Sequence, residues 1–382
     1  MEHIRAVTAK LVTTETVPTI GVHVETERGA SGVATLPSGI SVGAGEAQLA
    51  PVEQAIRTIN ELVAPAMIGK DCLEQREVDL ILMNLDGTPN RARLGANSLL
   101  PVSLAIARAA AAALHRELYE HIADLTNTAP SAPEIISVVV EGGKHGASEA
   151  LAAQELSLIG LAERVESLLI AITGEFQRRN IPVQPGREGG LAPLANDAQV
   201  IDAVRTTLMQ PSWRNAQLAL DLAATHHQST HLLGDYTAAL PIVLVEDPLP
   251  DDDQEGWATF TREHGTTLTI AADDLALGNP MKIKDAVRQD LANCLVVKLN
   301  QTATLSELFD LIALVQVGNW QHIVSHRGNE VPDDFIVDLA VGTGAHYLKL
   351  GTPRSSVRVP KFSRLKTITA QLARSSWSAL QS

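Results

Sequence analysis

Six short apolar runs in this sequence each end in a residue suited to acid–base or metal chemistry. AQLAL ends in Asp221, IVLV in Glu246, LTIAA in Asp273, CLVV in Lys298, HIVS in His326 and HYL in Lys349. Three carboxylates in series suit a hard divalent cation, which takes oxygen ligands. A lysine on the next run could then act as a base, its pKa lowered by the metal's charge. Elsewhere, Gln154 and Glu155 precede the apolar run LSLIG. Two Gly-rich loops carry further charge: Glu141-Gly142-Gly143-Lys144-His145-Gly146 and Arg187-Glu188-Gly189-Gly190. Glycines beside an acid allow close backbone approach to a ligand, and they serve equally well in a simple turn.

The spacing of the six runs indicates what must hold them. Neighbours lie roughly 25 residues apart, the length of a buried strand, a helix and two short loops. The runs are rich in Val, Ile and Leu, as buried parallel strands are. Successive βα units of this kind close into a barrel whose chemistry sits at the C-terminal ends of its strands. The ladder therefore places Asp, Glu, Asp, Lys, His and Lys around one mouth.

A chain of 382 residues exceeds the usual size of one compact core, so two domains are expected. Residues 4–37 read as a β meander, and the segments that follow, up to Leu125, read as helices. Thr126 to Pro133 is rich in Thr, Ala, Ser and Pro and reads as a linker. The expected division is an α+β domain over 1–129 and a β/α barrel over 130–382. The small residues Pro37-Ser38-Gly39-Ile40-Ser41-Val42-Gly43 suit a loop that could close over a site. A net charge of −14 disfavours nonspecific nucleic-acid binding and anionic membranes. Cys72 and Cys294 form no disulfide framework, which fits a reducing, cytoplasmic location. The N-terminus lacks the apolar core of a signal peptide, and the Ala-rich stretch Leu99 to Leu114 is too short and charged to be a membrane span.

Taken in order, several stretches carry a resemblance. They are Pro37-Ser38-Gly39-Ile40-Ser41, Leu85-Asp86-Gly87-Thr88, Leu94-Gly95-Ala96-Asn97, Gly142-Gly143-Lys144-His145, Gln154-Glu155, Glu188-Gly189-Gly190, Val245-Glu246-Asp247-Pro248, Asp273-Asp274-Leu275, Lys298-Leu299-Asn300-Gln301 and Ser325-His326-Arg327. Over nearly its whole length the chain resembles the enolase family. The resemblance implies an α+β cap followed by an eight-stranded β/α barrel whose first strands depart from simple alternation. It implies Mg²⁺-dependent interconversion of 2-phosphoglycerate and phosphoenolpyruvate, a small phosphorylated acid as substrate, and a homodimer or higher homo-oligomer. Motif by motif, Asp221, Glu246 and Asp273 would hold one Mg²⁺, and Ser41 would join a second. Lys298 would take the C2 proton, and Glu188, supported by Glu155, would protonate the leaving hydroxyl. Lys349 would meet the substrate carboxylate and Arg327 the phosphate, while His145 and His326 would line the pocket.

The departures from the family pattern are specific. Glu141 stands where the motif has Asn, Lys144 where it has Ser, Arg187 where it has Asp, and Gly328 where it has Ser. Glu141 and Arg187 are expected to form a compensating ion pair. With Gly at 328 the hydroxyl of the motif's Ser is missing where the resemblance places the phosphate. The pattern suits either a divergent enolase or a paralogue acting on a different phosphorylated or phosphonylated acid. Retention of every proposed acid, base and metal ligand argues against a noncatalytic binding protein.

Overall fold

The computed structural model describes residues 1–14, 17–37, 47–147, 150–160, 162–225 and 230–379. The N-terminal part opens with an antiparallel sheet of β1 (Ile4–Val12), β2 (Thr19–Thr26) and β3 (Ser31–Thr35). Alternation sets its register: Val7 pairs with Val24 and Ala9 with Val22, so one apolar face turns inward. The helix Ala96–Ala113 covers that face. Gly32 permits the contact, since a Cβ there would lie 2.1 Å from the carbonyl oxygen of Ala105. Among the described residues this helix alone is long and apolar enough to cross a membrane, yet 78% of it is buried in the protein.

Ten strands follow. β4 (Glu134–Glu141), β5 (Glu155–Ile159), β8 (Gln217–Asp221), β9 (Ile242–Glu246), β10 (Thr269–Ala272), β11 (Cys294–Lys298), β12 (Gln321–Ser325) and β13 (Tyr347–Lys349) pair in that order. Pairing of β13 with β4 closes the barrel. Only β5 runs against its barrel neighbours, antiparallel to both β4 and β8. A hairpin of β6 (Val183–Pro185) and β7 (Leu191–Pro193) hangs on β4 through β7. Every barrel strand contributes to one apolar cluster, including Ile136, Ile159, Ala219, Leu244, Ala271, Val296, Ile323 and Tyr347. The barrel is thus a packed core rather than a pore, and its chemistry is confined to the rim. The mixed α/β architecture matches the expected fold class.

The helices between strands follow the expected spacing: Thr230–Ala239, Gln254–His264, Pro280–Arg288, Leu305–Val317 and Phe335–Gly342 separate β8 to β13 in turn. The segment Val52–Met67 is helical but not one continuous α-helix. A π turn at Ile59–Val63 interrupts it, and Asn60 there exchanges hydrogen bonds with both backbone groups of Ala9. Arg108 on the long helix reaches Asp333 and Asp334 beside the barrel at 2.8 Å each, and Asp79 accepts from the backbone and hydroxyl of Ser306.

His322 on β12 is fully enclosed. Its Nε2–H donates to Thr343 Oγ1 at 3.1 Å, and its Nδ1 has no hydrogen-bond partner among the described residues. Burial, reinforced by His346, pulls its pKa from 6.5 down to about 3. A histidine so depressed contributes stability that is complete above pH 6.5 and is lost as pH falls from there toward the folded value. The expected loss is about 1.4 kcal/mol per pH unit across that window. In denaturant titrations at pH 7.5 and pH 5, His322→Gln should show a smaller drop in unfolding free energy than the wild type. Equal drops would exclude His322 as a source of acid sensitivity.

Candidate active site

The barrel rim gathers the predicted chemistry through strand register. Glu141 pairs with Glu155, Glu155 with Asp221, and Asp221 with Glu246, so four carboxylates end four consecutive strands at one level. Asp273 follows β10 directly. Lys298, Ser325 and Lys349 are paired in the same way across β11, β12 and β13. Reversal of β5 is what brings Glu155 to this rim, because its first residue lies where its neighbours' last residues lie.

Lys349 is the centre of the arrangement. Its Nζ lies 2.8 Å from Glu246 Oε2, 3.0 Å from Glu155 Oε2 and 3.1 Å from Asp221 Oδ2, with all four side chains buried. Burial alone would lower the lysine's pKa, but the carboxylates outweigh it and hold the ammonium well above its ordinary range. Burial and then the Asp221 charge push Glu246 up to about 8. Glu155 is also raised by burial, but Lys349 and His145 bring it below its ordinary value.

A second ion pair joins Lys298 to Asp273, whose other oxygen accepts from Gln301 at 3.3 Å. Burial opposes the charge on Lys298, yet Asp273 keeps its pKa above the usual lysine value. The three predicted metal ligands occupy adjacent strand ends but face two ammonium groups. Asp221 and Glu246 share Lys349, whereas Asp273 meets Lys298.

Glu188 lies in the turn before β7. Its Oε2 is 3.0 Å from His326 Nε2, and its Oε1 is 4.0 Å from His145 Nδ1. Arg358 Nη2 lies 3.2 Å from His326 Nδ1, on the side of the ring away from Glu188. Burial raises Glu188, but His326, Arg358 and His145 prevail and hold it well below the ordinary carboxylate range. His145 itself donates to Glu155 Oε1 at 2.9 Å. Despite burial, that partner lifts the imidazole to about 9. Arg327 is buried beside β12 and donates to Asn300 Oδ1 at 2.7 Å.

One expected contact is corrected. Arg187 is exposed and forms no ion pair with Glu141 among the described residues. Glu141 is fully buried and turns inward, where it accepts backbone N–H groups from Glu188 and Gly190. Those donors already satisfy the carboxylate, so no cation is needed. Burial and the Glu188 charge raise it to about 7. Ser41 and the loop around it, including Gly39 and Gly43, lie outside the described residues.

Two groups escaped the reading of residues. Asp247 has a left-handed backbone (φ 44°) and its carboxylate accepts the backbone N–H groups of Asp273 and Asp274 at 3.0 Å. Its place after Glu246, as a second acid just past a strand end, was the available signal. Arg358 lies in a stretch with no periodic pattern and carried none. Among the described residues, candidate ligand atoms lie within 4.8 Å of one another in two groups: His145 with Glu155 and Glu188, and Asp247 with Asp273 and Asp274.

Residues 4–122 match the family description "Enolase, N-terminal domain", and residues 210–380 match "Enolase, C-terminal TIM barrel domain". A protein of Acidothermus cellulolyticus named Enolase is 33% identical over 393 residues, spanning 93% of this chain and 91% of its own length. Similarity of that extent, carried through both parts of the chain, shows that it belongs to the enolase family and is a hydro-lyase.

Proposed function

We propose that this enzyme interconverts 2-phosphoglycerate and phosphoenolpyruvate. The observation that carries the reading is the placement of Lys298 and Glu188, a base and an acid, on separate elements of one carboxylate-rich rim. Lys298 takes the proton from C2. Glu188 gives a proton to the hydroxyl leaving C3. His326 and Arg358 hold Glu188 ionised in the free protein, and a phosphorylated acid arriving beside Arg358 offsets the guanidinium charge and favours protonation of Glu188. Glu155 anchors His145 and Lys349 at the same rim. Lys349 faces the substrate carboxylate and Arg327 the phosphate. We place the boundary between cap and barrel at 129/130.

The residues present fit Mg²⁺. Asp221 and Glu246 already converge on one cationic nitrogen, and the donors are all oxygens, the set a hard cation prefers. Asp221, Glu246 and Asp273 would hold one ion, with Ser41 assigned to a second. Divalent cations bound there stabilise the charge that builds on the substrate carboxylate when C2 loses its proton.

The test is turnover of 2-phosphoglycerate with Mg²⁺, followed at the absorbance of the enol product. Activity is expected, weakened by Gly328. A lost hydroxyl donor to a charged group costs about 1–3 kcal/mol, or roughly 5- to 150-fold. Gly328→Ser should recover part of that factor in kcat/KM. No turnover by folded, Mg²⁺-loaded protein, with Gly328→Ser failing to restore it, would replace 2-phosphoglycerate with a different phosphorylated or phosphonylated acid.

A further inference from the structure

Glu141 ends β4 and is completely buried. Its carboxylate accepts the backbone N–H of Glu188 through both oxygens, at 3.1 and 3.0 Å, and that of Gly190 at 2.7 Å. The turn it grips is tight: Gly186 N–H donates to Gly190 O at 2.9 Å, and Gly189 N–H to Gly186 O at 3.3 Å. From the other side, the carbonyl of Glu188 accepts from the backbone N–H of Thr352 at 3.1 Å and from its hydroxyl at 3.3 Å. The peptide that carries Glu188 is therefore held at both ends. Close packing adds to the grip, since a Cβ on Gly186 would lie 2.3 Å from the Glu141 carboxyl carbon.

An Asn, which the family motif carries here, offers one acceptor oxygen and no charge. Glu offers two acceptor oxygens, and both are used here. Lys298 has no part in these contacts; it stands on β11 with Asp273 as its partner.

We propose that Glu141 is a positioning residue for Glu188, clamping the 186–190 turn so that this carboxyl is aimed at the hydroxyl leaving the substrate. The proposal rests on Glu188 being the acid of the reaction. Misplacing a catalytic group by about 1 Å can cost on the order of 100-fold in rate.

The test separates the two half-reactions, with 2-phosphoglycerate and Mg²⁺ supplied to the full-length protein. Exchange of the C2 hydrogen with D₂O is read by NMR, and dehydration by absorbance. Glu141→Ala is expected to lower dehydration kcat about 100-fold while exchange and KM stay within about threefold. Glu141→Gln, which keeps one acceptor oxygen, should lose about tenfold in dehydration alone. Gly186→Ala, which displaces the carboxylate without removing it, should reproduce the same split. Should Glu141→Ala fail to fold, as judged by circular dichroism and thermal melting, the other two variants carry the test. Glu188→Gln is measured alongside. If it splits the half-reactions and the Glu141 and Gly186 variants do not, the clamp is overturned alone. If Glu188→Gln loses exchange as well, the acid assignment falls and the purpose of the clamp falls with it.

Discussion

Lys298→Ala is expected to abolish exchange of the substrate C2 hydrogen with solvent, and dehydration with it. Glu188→Gln should stop dehydration but leave exchange intact. The two side chains stand on different elements with different partners, Asp273 for Lys298 and His326 for Glu188. Loss of a positioned general acid or base costs about 10²- to 10⁴-fold, and a lysine whose proton transfer begins the reaction belongs at the upper end. Isotope exchange and product formation measured on the same samples check this. Equal loss of exchange in both variants, with Mg²⁺ binding retained, would contradict the division of labour.

The second large effect concerns stability. Lys349→Met is expected to destabilise the metal-free protein by about 3–5 kcal/mol, the cost of breaking a buried ion pair from one side. Glu155, Asp221 and Glu246 would then lie buried beside one another without the cation they share. Glu246, already pushed up to about 8, would be the readiest to relieve the strain by taking a proton, so the defect should be smaller at pH 6 than at pH 9. Mg²⁺ should stabilise the variant more than the wild type, because it no longer competes with an ammonium for those oxygens. Melting in EDTA and in Mg²⁺, at both pH values, checks all three statements. A variant as stable as the wild type in EDTA would show that the ammonium does not balance these carboxylates. Substrate binding should fail in either case if Lys349 meets the substrate carboxylate.

Much of the barrel was legible in the chain because its signals are local. A buried parallel strand is a continuous apolar run, and its last residue is at the rim. One rule thus located Asp221, Glu246, Asp273, Lys298, His326 and Lys349 and set them on a common mouth. The same rule does not find Glu155. Its strand runs backward, so the reactive residue precedes the apolar run instead of ending it. β6 and β7 are three residues each, too short for periodicity to register, and the turn that carries Glu188 read equally well as an ordinary loop.

Types, order and spacing of the reactive residues, and the pattern that requires a barrel, were thus determined by the sequence alone. Which charge faces which was decided only by the tertiary structure. Arg187 and Glu141 looked like partners because each departs from the family motif in opposite charge, yet the chain sends one outward and satisfies the other with peptide N–H groups. Asp221 and Asp273 looked equivalent, yet Lys349 takes the first and Lys298 the second. Such pairings depend on side chains that reach across the rim from strands far apart in sequence: Lys349 lies 128 residues from Asp221, and no local pattern encodes that distance.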